Sequence, residues 1–83
     1  MSTASDAAYA SHLLSILSAD RARLAHEPGH AAIVLWMVEE LRRAAASLTI
    51  ERETSKALLD AATDAREAAV EARRAARKLK RAA

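Results

Sequence analysis

Residues 26–30 read His26-Glu27-Pro28-Gly29-His30. Two imidazoles four positions apart, with a carboxylate beside the first, could do one kind of chemistry. If a helix runs through all five residues, both rings share a face one turn apart and can hold a zinc ion. The glutamate then takes a proton from a metal-bound water. That chemistry needs an unbroken helix and a third protein ligand. Pro28 works against the helix, because inside one it removes a hydrogen bond and clashes with the preceding turn, at about 3 kcal/mol. The only other histidine is His12, about four turns upstream, and there is no cysteine to serve instead. The expectation is a turn that carries two exposed histidines, with no metal and no cofactor. A zinc centre at these residues is kept as a remote alternative.

The flanking stretch LAHEPGHAAIVL, Leu24 to Leu35, resembles the active-site helix of the H-E-x-x-H zinc peptidases. That resemblance implies His26 and His30 as metal ligands and Glu27 as the general base; Pro28 is the departure. A second stretch, LLSILSADRARLAHEPG, covers 17 of the 83 residues and is similar to the first helix of the all-helical chorismate mutases. It implies that Arg21 binds a substrate carboxylate. The lysine which that family carries about three turns later falls at Ala32 here, and Pro28 interrupts the family's long helix. Downstream, Arg52-Glu53 echoes an Arg-Glu pair. Taken on its residues alone, the same stretch is an Ala/Leu-rich amphipathic helix. No Ser-His-Asp set, glycine-rich phosphate loop or carboxylate dyad is visible; Asp60 and Asp64 are four apart and can both face water. The chain is therefore expected not to be an enzyme.

A different chemistry sits at the C-terminal end. EARRAARKLKRAA, residues 71–83, carries Arg73, Arg74, Arg77, Lys78, Lys80 and Arg81 against a single Glu71, net +5, whereas residues 1–70 carry 7 basic and 10 acidic side chains, net −3. Six cations on one helix can hold phosphates, but no aromatic residue lies among them for base stacking. Cations at a helix C-terminus also complement the macrodipole and keep an Ala-rich helix in water. Contact with nucleic acid or another anionic partner is the alternative to a solvated end.

These residues need elements to position them. There are 23 alanines, no phenylalanine, one proline and one glycine. Ala, Leu, Arg and Glu are the strongest helix formers, so the fold class is all-α. Thr3 with Asp6 resembles a capping box at the start of a first helix. Ala10, Leu13, Leu14, Leu17 and Leu24 then recur at helical spacing. Pro28-Gly29 is the one strong break: proline disfavours helix in the residue before it, and glycine takes up positive φ cheaply. From His30 onward 54 residues lack both. A heptad runs through Val34, Leu41, Leu48, Ser55, Ala62, Ala69 and Ala76 at one seam position. The other position holds Met37, Ala44, Glu51, Leu58, Ala65, Ala72 and Leu79. Only Glu51 and Ser55 are polar. The preferred expectation is a helical hairpin with a short first helix and a long second helix, continuous through residues 49–55. A break there, into a three-helix bundle, is the alternative.

In a hairpin the Ala seam would lie bare beyond the first helix, so a partner must cover it. The run Ile33–Val38 is apolar around the whole helix. Ile33, Trp36, Met37, Leu41 and Leu48 are therefore expected in an interface between molecules, with an intrachain core and then a small-ligand pocket as the alternatives, and Leu58, Ala62, Ala65 and Ala69 in a second contact. Trp is enriched where interfaces carry their binding energy, and Met adapts to irregular gaps. The chain forms a single domain, residues 1–83, with 71–83 as a basic helical end. It is expected to be a homo-oligomer, a dimer first, with a further protein partner. The expected role is a small adaptor, inhibitor or regulator of the kind phages and mobile elements encode. Its longest apolar run, Ala31 to Val38, is far short of the about 20 residues a membrane span needs. MSTASDAAYA has neither a basic n-region nor an apolar h-region, and the expected location is cytoplasmic.

Overall fold

The structure, a computed structural model, describes the backbone of residues 3–82 and the side chains of residues 4–82. Three helices make up nearly all of it: α1 spans Thr3–Arg23, α2 Ala31–Ser47 and α3 Arg52–Ala82, with one 3₁₀ turn at Pro28–His30. The fold is all-α, and there is no strand among the described residues.

The first break falls at Pro28 for the reason proline imposes. Glu27 is pushed out of the helical region to φ −132 and ψ 81, and Pro28 then starts the 3₁₀ turn, where its missing N–H costs nothing. Gly29 contributes less than its type suggested. Its φ is not positive, and a Cβ placed on it would meet nothing within 4 Å. The turn is made by the imino acid.

The second break corrects the preferred expectation. The chain is not one long helix from residue 30. It leaves the helix at Leu48, whose ψ of 148 is extended, and re-enters at Arg52. Thr49 and Ile50 are β-branched and form helix poorly. The larger cause is tertiary. The Thr49 N–H donates to Asp6 Oδ2 across the bundle at 2.8 Å, and the Ser55 hydroxyl donates to the Ala45 carbonyl at 3.2 Å. Leu48 and Ile50 pack half-buried against the core. Folding back lets the molecule bury its own seam. Asp6, expected in a capping box, is instead a buried acceptor for the second loop; the Thr3 side chain lies outside the described residues.

The core follows from the helical periods. Ala10, Leu13, Leu17 and Leu24 of the first segment meet Val34, Met37, Val38, Leu41 and Ala44 of α2, and Leu58, Ala62, Ala65 and Ala69 of α3. The α2–α3 contact is the most extensive in the molecule. Alanines at positions 62, 65 and 69 let α3 approach closely, as seam alanines should.

The helices are unequal. At about 1.5 Å per residue, α2 is about 26 Å long and α3 about 46 Å. The four residues between them, 48–51, turn α3 back antiparallel to α2. The last core residue of α3 is Ala69, and residues 73–82 are exposed except for half-buried Ala76. They project past the bundle as a single helical arm. The molecule is accordingly 53 Å long and only 16 by 15 Å across. Among the described residues no helix is long and apolar enough to cross a membrane.

Candidate functional site

The histidine motif does not assemble. α1 ends at Arg23, His26 lies in the turn after it, and His30 closes the 3₁₀ turn. The common helical face that zinc binding needs is broken between them. His30 is engaged elsewhere: its Nε2 lies 3.0 Å from Asp20 Oδ1, and both side chains are largely buried. Among the described residues no group of three His, Cys, Asp or Glu converges on a point. Arg21, the residue matched to the chorismate mutase arginine, lies beside Asp64 of α3, with Nε 2.6 Å from Oδ2. Its guanidinium is paired within the chain at the edge of a shallow dimple lined by Leu14, Leu17, Ser18 and Ala61.

The expected interface residues divide. Met37, Leu41, Leu58, Ala62, Ala65 and Ala69 are all buried within the chain, and Leu48 is half-buried. The seam expected to need a second molecule between residues 58 and 69 is covered by α1 and α2. Ile33 and Trp36 are the exception, at 49% and 62% exposure.

Their placement can be worked out from the helix period. Ser55 of α3 meets α2 at Ala45. Trp36 is nine residues before Ala45, two and a half turns, so it points away from α3. Ile33 lies one turn beyond His30, on the edge of α2 that faces α1 through the Asp20–His30 contact. On α1, the edge toward α3 carries Leu14, Ser18 and Arg21. The opposite edge carries Asp20, and four and eleven residues before it stand Ile16 and Tyr9. Ile16 is half-buried and Tyr9 is 47% exposed. Tyr9, Ile16, Ile33 and Trp36 therefore border one outer face, formed by α1 and α2 on the side away from α3. Glu39 and Glu40 of α2 lie on this side and pair with Arg42 and Arg43. Tyr9 was missed in the sequence. The signal was there, since Tyr9, Ile16 and Asp20 are spaced by seven and four, but it is fainter than the leucine stripe beside it.

The basic arm is the second feature. Arg74, Arg77, Lys78 and Arg81 recur at three- and four-residue spacing and together line one surface of the arm. Arg73 and Lys80 lie on a flank. The opposite side continues the seam through Ala72, Ala76 and Leu79, and Leu79 is 72% exposed. Ala72 still packs against the core and Ala76 is half-buried, so the arm is amphipathic and its apolar side becomes fully exposed only at Leu79.

Compared with protein-family models, with curated proteins and with solved structures, the chain matches none.

Proposed function

We propose that this chain is a non-enzymatic helical protein that works by protein–protein contact, as a small adaptor, inhibitor or regulator. The outer α1–α2 face is the working surface, and the observation that carries the proposal is the exposure of Ile33 and Trp36 there. A core with Leu, Val and Met available has no need to leave its one tryptophan in water. Interface anchors are enriched in Trp and Tyr, and both stand on this face. A cytoplasmic location fits this role.

A second reading rests on the arm. Four cations on one face of an isolated helix could contact the phosphates of a nucleic acid.

One pair of variants separates the two. Trp36→Glu alters only the outer face, and the combined change of Arg73, Arg74, Arg77 and Lys78 to Glu alters only the arm. Protein partners captured from the host by the wild-type chain are expected to be lost with Trp36→Glu. If capture is unchanged by Trp36→Glu, and salt-sensitive retention of duplex DNA or RNA is lost with the arm variant, the second reading replaces the first.

A further inference from the structure

The outer face and the end of the arm both keep large apolar side chains exposed, Ile33 and Trp36 on the first and Leu79 on the second. We propose that they cover each other between two copies of this chain. The arm of each protomer lies along the outer α1–α2 face of its partner, as a fourth helix against a three-helix body. This names the partner of the surface assigned above and rests on that assignment.

Area supports a second copy. A compact monomer of 8.9 kDa exposes about 4,800 Å². This chain exposes 5821 Å², about 1,000 Å² more, and a stable dimer takes about 800 Å² from each partner. The surplus has the size of one half-interface.

Register supports the arm as the occupant. The stripe from Ala72 to Leu79 and the edge from Tyr9 to Ile16 each span seven residues, a rise of about 10 Å. Ala72 and Ala76 allow close helix approach, which leaves Leu79 as the one large side chain to bury. Trp36 and Ile33 are the large residues opposite.

Charge agrees. The body, residues 1–70, is net −3 and the end, residues 71–83, is net +5. The four-cation surface of the arm is opposite the stripe, so docking leaves those groups in water. Arg73 and Lys80 flank the stripe and face a body of opposite net charge. The exchange is reciprocal, so a two-fold axis closes it and no surface is left over to build a filament.

The test uses the full chain. Light scattering at micromolar concentration is expected to give twice the 8.9 kDa chain mass. Trp36 is the only tryptophan, so its emission is expected to move to the red on dilution. Trp36→Glu and Leu79→Glu alter exposed residues, and each is expected to give the single-chain mass with helicity unchanged. Leu79→Glu is also expected to expose Trp36 at concentrations where the wild type shields it. No native cysteine interferes, so an Ala76→Cys chain mixed with an Ile33→Cys chain is expected to form the mixed disulfide. A single-chain mass at every concentration overturns the proposal. So does a dimer in which Ala76→Cys links only to itself while Trp36 stays in water, since that is pairing of arm with arm. Capture of another protein that is lost with Trp36→Glu but indifferent to Leu79→Glu, in a chain of single mass, overturns the second copy and leaves the outer face as an interface.

Discussion

The seam of α3 runs through two regions with different fates. In the body, Leu58, Ala62, Ala65 and Ala69 are fully buried. Past Ala69 the same heptad continues through half-buried Ala72 and Ala76, and it ends with Leu79 in water. The repeat does not change at the boundary; what changes is whether a neighbour is present. α1 stops at Arg23 and α2 starts at Ala31, on either side of the 3₁₀ turn, so neither continues alongside the far part of α3. The length of α3 past that turn decides how much of its stripe is surface. A hydrophobic pattern specifies a face to be covered, and the lengths of the other helices specify by what.

The most direct way to break that contrast is to truncate one leucine in each region. Leu58 and Leu79 occupy the same heptad position. Leu58→Ala removes a fully buried side chain and leaves a cavity, at about 2–5 kcal/mol. A chain of 83 residues has only about 4–12 kcal/mol of stability in total. Leu58→Ala is therefore expected to shift the urea midpoint far down, or to leave the chain partly unfolded. Leu79→Ala in dilute solution is expected to change stability by less than about 0.5 kcal/mol. Equal shifts for the two would mean that the arm is packed in the free chain.

The loop at residues 48–51 is what allows the body to exist, and Asp6 is the group that fastens it. Asp6 is 5% exposed, and its carboxylate accepts from the Thr49 N–H at 2.8 Å. Asp6→Ala leaves that N–H without its partner, which costs about 1–3 kcal/mol. The loss is expected to be local at first. Amide exchange at Thr49 and in the first turn of α3 is expected to speed up more than exchange at Leu41. Uniform acceleration would show that the loop opens only when the whole bundle does.

This latch also marks where sequence stopped being informative. Helix content, the turn at Pro28 and the inward stripe of α1 were legible because each is a local property: propensity, imino geometry, three- and four-residue spacing. The polar seam positions Glu51 and Ser55 flagged the second break without deciding it. The decision came from Asp6, 43 residues away in sequence, and from burial of Leu48 and Ile50. No local pattern carries that. The residues expected at an interface lie on different sides of the fold for the same reason. Met37 and Trp36 are adjacent and both were expected at a contact between molecules, but only the fold fixes which side of α2 faces inward.

The smallest expected effect concerns an ion pair that ties α1 to α3 within the body. Arg21 Nε and Asp64 Oδ2 are 2.6 Å apart, which is close, but their side chains are 46% and 61% exposed. At such exposure water screens the attraction, and ordering two flexible side chains offsets much of the rest, so pairs of this kind contribute below about 1 kcal/mol. The apolar seam beneath holds α1 to α3 without it. Arg21→Ala, Asp64→Ala and the double change are expected to fall within about 0.5 kcal/mol of one another, and the small coupling between them is expected to vanish in 1 M salt, where the Debye length is about 3 Å. A coupling that survives such salt would mean that the pair is better shielded than its exposure indicates, and that charge, alongside the alanine seam, helps to fix where the body ends and the arm begins.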